Sequence, residues 1–256
     1  MKFVIPVLIL GILIIGGIWL KRKRKFSDFP LPWRKILKEK VAFYSHLKTA
    51  DKRRFEKEIQ YFLSDVGVTG VGMEVSDLDR ILVASSAVIP LFGFPELRYR
   101  NISEVLLYKD SFNEDHQTEG EDRRILGKVG SGTLNRQMIL SRPALIAGFE
   151  NTSSKTNVGI HEFIHLIDKA DGAVDGIPES IMEQQFVLPW LNLMHEEIDK
   201  IRAKDSDINP YGGTSKIEFF SVASEYFFKR PKLFRRKHPE LYNLLSKIFN
   251  QQENQN

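Results

Sequence analysis

Five consecutive residues near the middle of the chain, His161-Glu162-Phe163-Ile164-His165, constrain its fold more than any other segment. Two histidines four apart converge on one point only on an α-helix, where that spacing turns a side chain by about 40° and lifts it by about 6 Å. The surrounding pattern agrees. Val158, Ile160, Ile164 and Ile167 supply apolar positions, and Gly172, Gly176 and Pro178 end the element. His161 and His165 are therefore expected to hold zinc, with Glu162 placed to take a proton from a water activated by the ion. The competing reading is a half-buried helix whose two histidines are satisfied by ordinary hydrogen bonds.

Catalytic zinc takes three protein ligands, so a third has to be found. The metzincin spacing would put Gly and His three and six residues past His165, where this chain has Asp168 and Asp171. The absence of cysteine removes thiolate ligands, disulfides and a cysteine nucleophile. His195 and His238 read as single surface histidines. The segment I-E-F-F-S-V-A-S-E-Y-F-F, residues 217–228, is a better source, because a carboxylate in so apolar a helix is costly unless paired or bound to metal. Glu218 and Glu225 both qualify. They share a helix face about 10 Å apart, so only one is expected to reach the ion, and spacing does not choose between them.

The ends of the chain carry a different message. Phe3 to Leu20 is an uncharged run, long enough as a helix to cover roughly 27 Å. Only Lys2 precedes it, whereas Lys21, Arg22, Lys23, Arg24 and Lys25 follow, and no A-x-A cleavage site is present. Residues 1–25 are thus expected to be a transmembrane anchor with a basic flank, and residues 26–256 a single catalytic domain. The positive-inside rule places that domain on the cytoplasmic side of the cell (inner) membrane, as a single-pass protein. Lys2 and the five flanking residues account for six positive charges, so the rest of the chain carries −2 against the whole chain's +4. The basic balance belongs to the anchor, and no direct nucleic-acid binding is expected.

Within the domain, Phe26 to Trp33 reads as a proline-containing arm, and Thr49 as the cap of a helix with Phe55, Ile59, Phe62 and Leu63 on one face. Ser76 and Asp79 give a capping-box signal for a helix through Leu82 and Val83. Val105–Tyr108 and Met138–Leu140 read as strands, and Asn113–Asp122 as an exposed acidic loop. Further helices are expected at Trp190–Lys204, after Pro189, at Ile217–Phe228, and at Pro239–Asn250. Strands early and helices late predict an α+β fold, mainly helical with a small sheet. Lys229, Arg230, Lys232, Arg235, Arg236 and Lys237 read as a solvated helix end, with contact to anionic lipid as the alternative.

These residues, taken in order, resemble the MtfA (Mlc titration factor A) family of zinc-dependent, gluzincin-like peptidases. The likeness rests on Pro32-Trp33, Val129-Gly130-Ser131-Gly132 ahead of Met138–Leu140, and the His161–His165 motif. It continues through Asp168, Asp171-Gly172, Gly176 and Pro178 to Asn209-Pro210-Tyr211, Glu218 and S-E-Y-F-F from Ser224. The resemblance implies a zincin-type domain in which Glu218 is the third zinc ligand and Tyr211 stabilises an oxyanion. It also implies that Glu225 supports the site, orienting a histidine, and that the Met138–Leu140 strand is the edge along which an extended peptide lies. The activity implied is zinc-dependent hydrolysis of a peptide or protein substrate, with a regulatory protein partner possible. The alternative is a binding protein that sequesters a partner such as a transcription factor and keeps the zinc site as scaffold.

Overall fold

The computed structural model describes residues 26–111, 127–130 and 135–251. The expected anchor (1–25) and the expected acidic loop (113–122) lie outside the described residues. Among the described residues, no helix is long and apolar enough to cross a membrane.

The chain opens with α1 (Leu31–Lys40), α2 (Ala42–His46) and α3 (Thr49–Asp65), followed by β1 (Gly67–Val71), α4 (Asp77–Leu91) and β2 (Glu104–Tyr108). Next come β3 (Gly127–Val129), β4 (Gln137–Ser141), α5 (Arg142–Glu150) and α6 (Val158–Asp168). The last part is helical: α7 (Gln184–Arg202), a 3-10 turn at Pro210–Gly213, α8 (Lys216–Lys229), α9 (Pro231–Lys237) and α10 (Pro239–Ile248). The fold is mainly helical with one four-stranded sheet.

Several boundaries depart from the sequence pattern for identifiable reasons. The arm expected at 26–33 already contains the start of α1, because proline is tolerated in a helix's first turn, where Pro32 sits, with Pro30 at the N-cap ahead of it. Pro189 lies inside α7, at its sixth residue, instead of ahead of it. Thr49 begins α3 without capping it, the N-cap position being Lys48. The capping box at Ser76 and Asp79 is formed in both directions: Asp79 N–H donates to Ser76 Oγ at 3.3 Å and Ser76 N–H to Asp79 Oδ2 at 2.9 Å. β1, β3 and α5 had no clear periodic signal; each is too short, or too rich in glycine, to show one.

The sheet order is β1-β2-β4-β3, with β1, β2 and β4 parallel and β3 antiparallel to β4. Met138–Leu140 is therefore not an edge. It lies inside β4, paired on one side with Val105–Leu107 and on the other with β3, so among the described residues the sheet edge on that side is Gly127–Val129. Val105, Leu107, Met138 and Leu140 all point into the core and are fully buried, which is why β4 occupies an interior place. Helix α6 packs against β3 and β4 on one side and against α4 and α8 on others. It approaches α4 so closely that a Cβ on Gly159 would overlap Ser86. Phe163, on the core face of α6, is enclosed by the rings of Phe62 and Tyr99. Trp190, Phe219, Phe220 and Phe249 form a second aromatic cluster that fixes α8 against α7 and the chain's last turn.

His238 is not a surface histidine: its side chain is 10% exposed and bridges Asp207, 2.7 Å from Nε2, and Glu197, 3.2 Å from Nδ1. His195 is exposed, as expected. In the basic stretch, Lys229 and Arg230 are structural, since Lys229 donates to the carbonyls of Gly148 and Asn151 and Arg230 to that of Ser153. Lys229 closes the C-terminal end of α5, where carbonyls otherwise lack partners, and Arg230 ties down the turn beyond it. Lys232, Arg235, Arg236 and Lys237 remain exposed.

Candidate metal centre

Helix α6 begins at Asn157, whose side chain accepts from Ile160 N–H at 3.1 Å and so fixes the register of the residues that follow. His161 and His165 then project from one face, with their rings 4.7 Å apart and nearly perpendicular. Helix α8 begins similarly, with Ser215 Oγ accepting from Glu218 N–H at 3.1 Å, and this sets Glu218 in the first turn facing α6.

The three side chains meet. His161 Nε2 lies 3.1 Å from Glu218 Oε2, His165 Nε2 3.5 Å from the same oxygen, and the two Nε2 atoms are 3.0 Å apart. One ligand atom from each falls within 4.8 Å of the others, and this is the only such set among the described residues. Two imidazole lone pairs and a carboxylate oxygen repel at these distances unless a proton or a cation stands among them. The donor set, two nitrogens and one oxygen, fits a divalent metal with a fourth position left open.

Glu225 also reaches His161, but from behind. Its Oε1 accepts from His161 Nδ1 at 2.7 Å and its Oε2 from Asn157 N–H at 2.5 Å. The choice that spacing left open is made by geometry, in the way the resemblance implies: both glutamates touch His161, at opposite ring nitrogens. His165 has its own support in Ser221, whose Oγ is 3.1 Å from His165 Nδ1. With both Nδ1 atoms engaged at the back, both Nε2 atoms are aimed into the centre. Ser221 was not singled out from the sequence. The available signal was its place on α8, three residues after Glu218 and four before Glu225, on the same face.

The electrostatics follow from these contacts. Burial works against a charged His161, but hydrogen bonds to Glu218 and Glu225 carry its pKa up to about 10. Burial likewise works against a charged Glu218, yet His161 and His165 hold its carboxyl well below the usual range. Glu162 is buried next to the pair. Desolvation pushes its carboxyl up, the two histidines pull it down, and Glu218 and Glu225 push it up again. Tyr211 stands at the mouth, half exposed, on the 3-10 turn that Asn209 caps through Tyr211 N–H at 3.0 Å. Its ring lies 6.1 Å from that of His161, and burial together with Glu218 raises its phenol.

A buried pair of helices that presents two histidines and a glutamate to one point is compatible with the metal centre of a metallopeptidase. Residues 18–250 match the family model of the glucose-regulated metallo-peptidase M90 family, and the chain belongs to that family. An uncharacterised protein of Synechocystis is 27% identical over 247 residues, covering 90% of this chain and 89% of its own length. Mlc titration factor A of Escherichia fergusonii is 26% identical over 247 residues, covering 91% and 90%. Mlc titration factor A of Klebsiella pneumoniae is 24% identical over 235 residues, covering 86% of each. The resemblance read from the motifs is therefore correct at the level of the family.

Proposed function

We propose that this chain is a membrane-anchored zinc peptidase that hydrolyses peptide bonds, with His161, His165 and Glu218 as the zinc ligands. The observation that supports this reading most is the meeting of three ligand atoms from α6 and α8 beside the buried Glu162. A zinc ion bound there supplies Lewis acidity, bringing a water's pKa towards about 7 and polarising a substrate carbonyl. Glu162 accepts the water's proton and returns it to the leaving amine, a role suited to a carboxyl whose pKa burial has raised. Tyr211, its phenol kept protonated, donates to the developing oxyanion. Glu225 and Ser221 hold the two imidazoles in orientation. An extended peptide substrate lies along β3, the outer strand among the described residues, in place of the strand first expected.

Residues 1–25 would span the inner membrane once, leaving the catalytic domain in the cytoplasm, and protease protection in intact cells tests this topology. Cleavage of a quenched fluorogenic peptide library by the full chain tests the activity. It should be abolished by a chelator and restored by stoichiometric zinc; cleavage indifferent to chelation refutes the reading.

The name of the titration-factor relatives supports a second reading, a protein that sequesters a regulatory partner. Glu162 separates the two, because partner capture survives Glu162→Gln whereas peptide hydrolysis does not.

A further inference from the structure

Strand β3 does more than form a sheet edge. It comes down onto Glu162 at a single residue, Gly127. A Cβ built there would stand 2.7 Å from Glu162 Cγ, 2.7 Å from Glu162 Oε1 and 2.8 Å from Val158 Cγ2. Carbon atoms in ordinary contact are about 3.5–4.0 Å apart, so a methyl group would intrude by roughly 1 Å on the carboxylate and on its helix. The glycine is not demanded by its backbone. The left-handed glycines among the described residues are Gly72, Gly172 and Gly176, and Gly127 lies in regular strand. What position 127 requires is absence of volume.

Neither neighbour can retreat at little cost. On one side β3 is laddered to β4, with Gly127 opposite Leu140 and Val129 opposite Met138, and both partners are fully buried. Gly130 N–H extends the ladder to Gln137 O at 2.8 Å. On the other side α6 is fixed by its Asn157 cap and by Phe163, enclosed in the core. The softest element between two fixed surfaces is the Glu162 side chain, which has three rotatable bonds.

We infer that Gly127 is a positioning residue for Glu162: its bare Cα forms the wall against which the carboxylate rests, setting that group's distance from the metal centre. This rests on reading Glu162 as the general base. It adds a requirement on the edge strand that the motif on α6 does not contain. Any side chain at 127 swings the carboxylate away, while His161, His165 and Glu218, none of which supplies one of the three atoms nearest that Cβ, keep their arrangement. A displacement of about 1 Å at a reacting group costs up to about 100-fold in rate.

The test is steady-state cleavage of a fluorogenic peptide by the full chain carrying Gly127→Ala, with zinc content and thermal melting measured on the same samples. The expected result is one zinc per chain, a cooperative melt, and kcat lowered roughly 10- to 100-fold with KM changed far less. Adding Val158→Ala to that variant removes one of the three obstructing atoms and should recover part of kcat, a rescue that general damage to the strand would not allow. A Gly127→Ala kcat within about twofold of wild type overturns the inference. So does a loss that falls on KM alone, or one that Val158→Ala fails to relieve. Glu162→Gln assayed alongside keeps the two claims apart. If it cleaves normally, the base assignment fails; if it is inactive while Gly127→Ala is fully active, only the positioning role fails.

Discussion

Replacing Glu225 by glutamine keeps the shape of the group behind His161 and removes its charge. The carboxylate accepts two hydrogen bonds, one per oxygen, from His161 Nδ1 at 2.7 Å and from Asn157 N–H at 2.5 Å. An amide has one accepting oxygen, so one of those donors must face an NH2 group. The loss is one charge-assisted hydrogen bond, about 1.5–3 kcal/mol. If this appears at the imidazole, it lowers metal affinity by roughly 10- to 150-fold, in the range found when support behind a metal ligand is removed. Competition with a chromogenic chelator measures this directly on wild type and Glu225→Gln. The reasoning is refuted if the variant holds zinc as tightly as wild type and melts at the same temperature, because the hydrogen bond would then carry no energy. Glu225→Ala should be worse, since the buried Asn157 N–H is left without a partner at a further cost of about 1–3 kcal/mol in folding stability.

Ser221→Ala removes a neutral partner from His165 and should weaken zinc binding by a few-fold only, about 1 kcal/mol, as read by the same titration; a loss as large as that of Glu225→Gln would contradict the ranking. Gly159→Ala should destabilise the fold by about 1–3 kcal/mol in urea unfolding, since its methyl would overlap Ser86, and adding Ser86→Gly should cost less than the sum of the two single changes, each measured alone. The Asp207–His238–Glu197 cluster predicts a pH profile. His238 is raised by its two carboxylate partners, against burial, so its contribution is full below about pH 6.5 and is lost as pH rises through its folded value. Asp207, opposed by burial but held down by Lys155, His238 and Tyr226, contributes above about pH 4 and loses its contribution as pH falls further. Stability from this cluster is thus greatest between those limits, and His238→Gln should flatten the alkaline limb of a urea-midpoint-versus-pH curve; an unchanged limb refutes the assignment.

Much of the centre was legible because helical spacing is a strong code. His161 and His165 four apart, with apolar residues at Ile160 and Ile164, could belong only to a helix with one polar face. The apolar setting of residues 217–228 marked its carboxylates as needing partners. What the sequence could not give was relations between elements. Nothing in the spacing says that α6 and α8 meet so that Glu218 and Glu225 take opposite nitrogens of one ring. The place of β4 inside the sheet follows from β3, three residues long with glycine at its start, which leaves no alternation to read. His238 looked solitary because its partners, Asp207 and Glu197, come from distant turns of the chain. Pro32 and Pro189 misled in one direction: proline was read as a break where it stands in the first two turns of a helix.

The central claim is that three side chains hold one zinc ion and Glu162 does chemistry beside it. It is tested most directly by measuring zinc content and peptide cleavage on the same preparations of wild type, Glu162→Gln and Glu218→Ala. The account predicts one zinc per chain in wild type and Glu162→Gln, cleavage in wild type alone, and loss of both in Glu218→Ala. Full cleavage by Glu162→Gln, or undiminished zinc in Glu218→Ala, would contradict it.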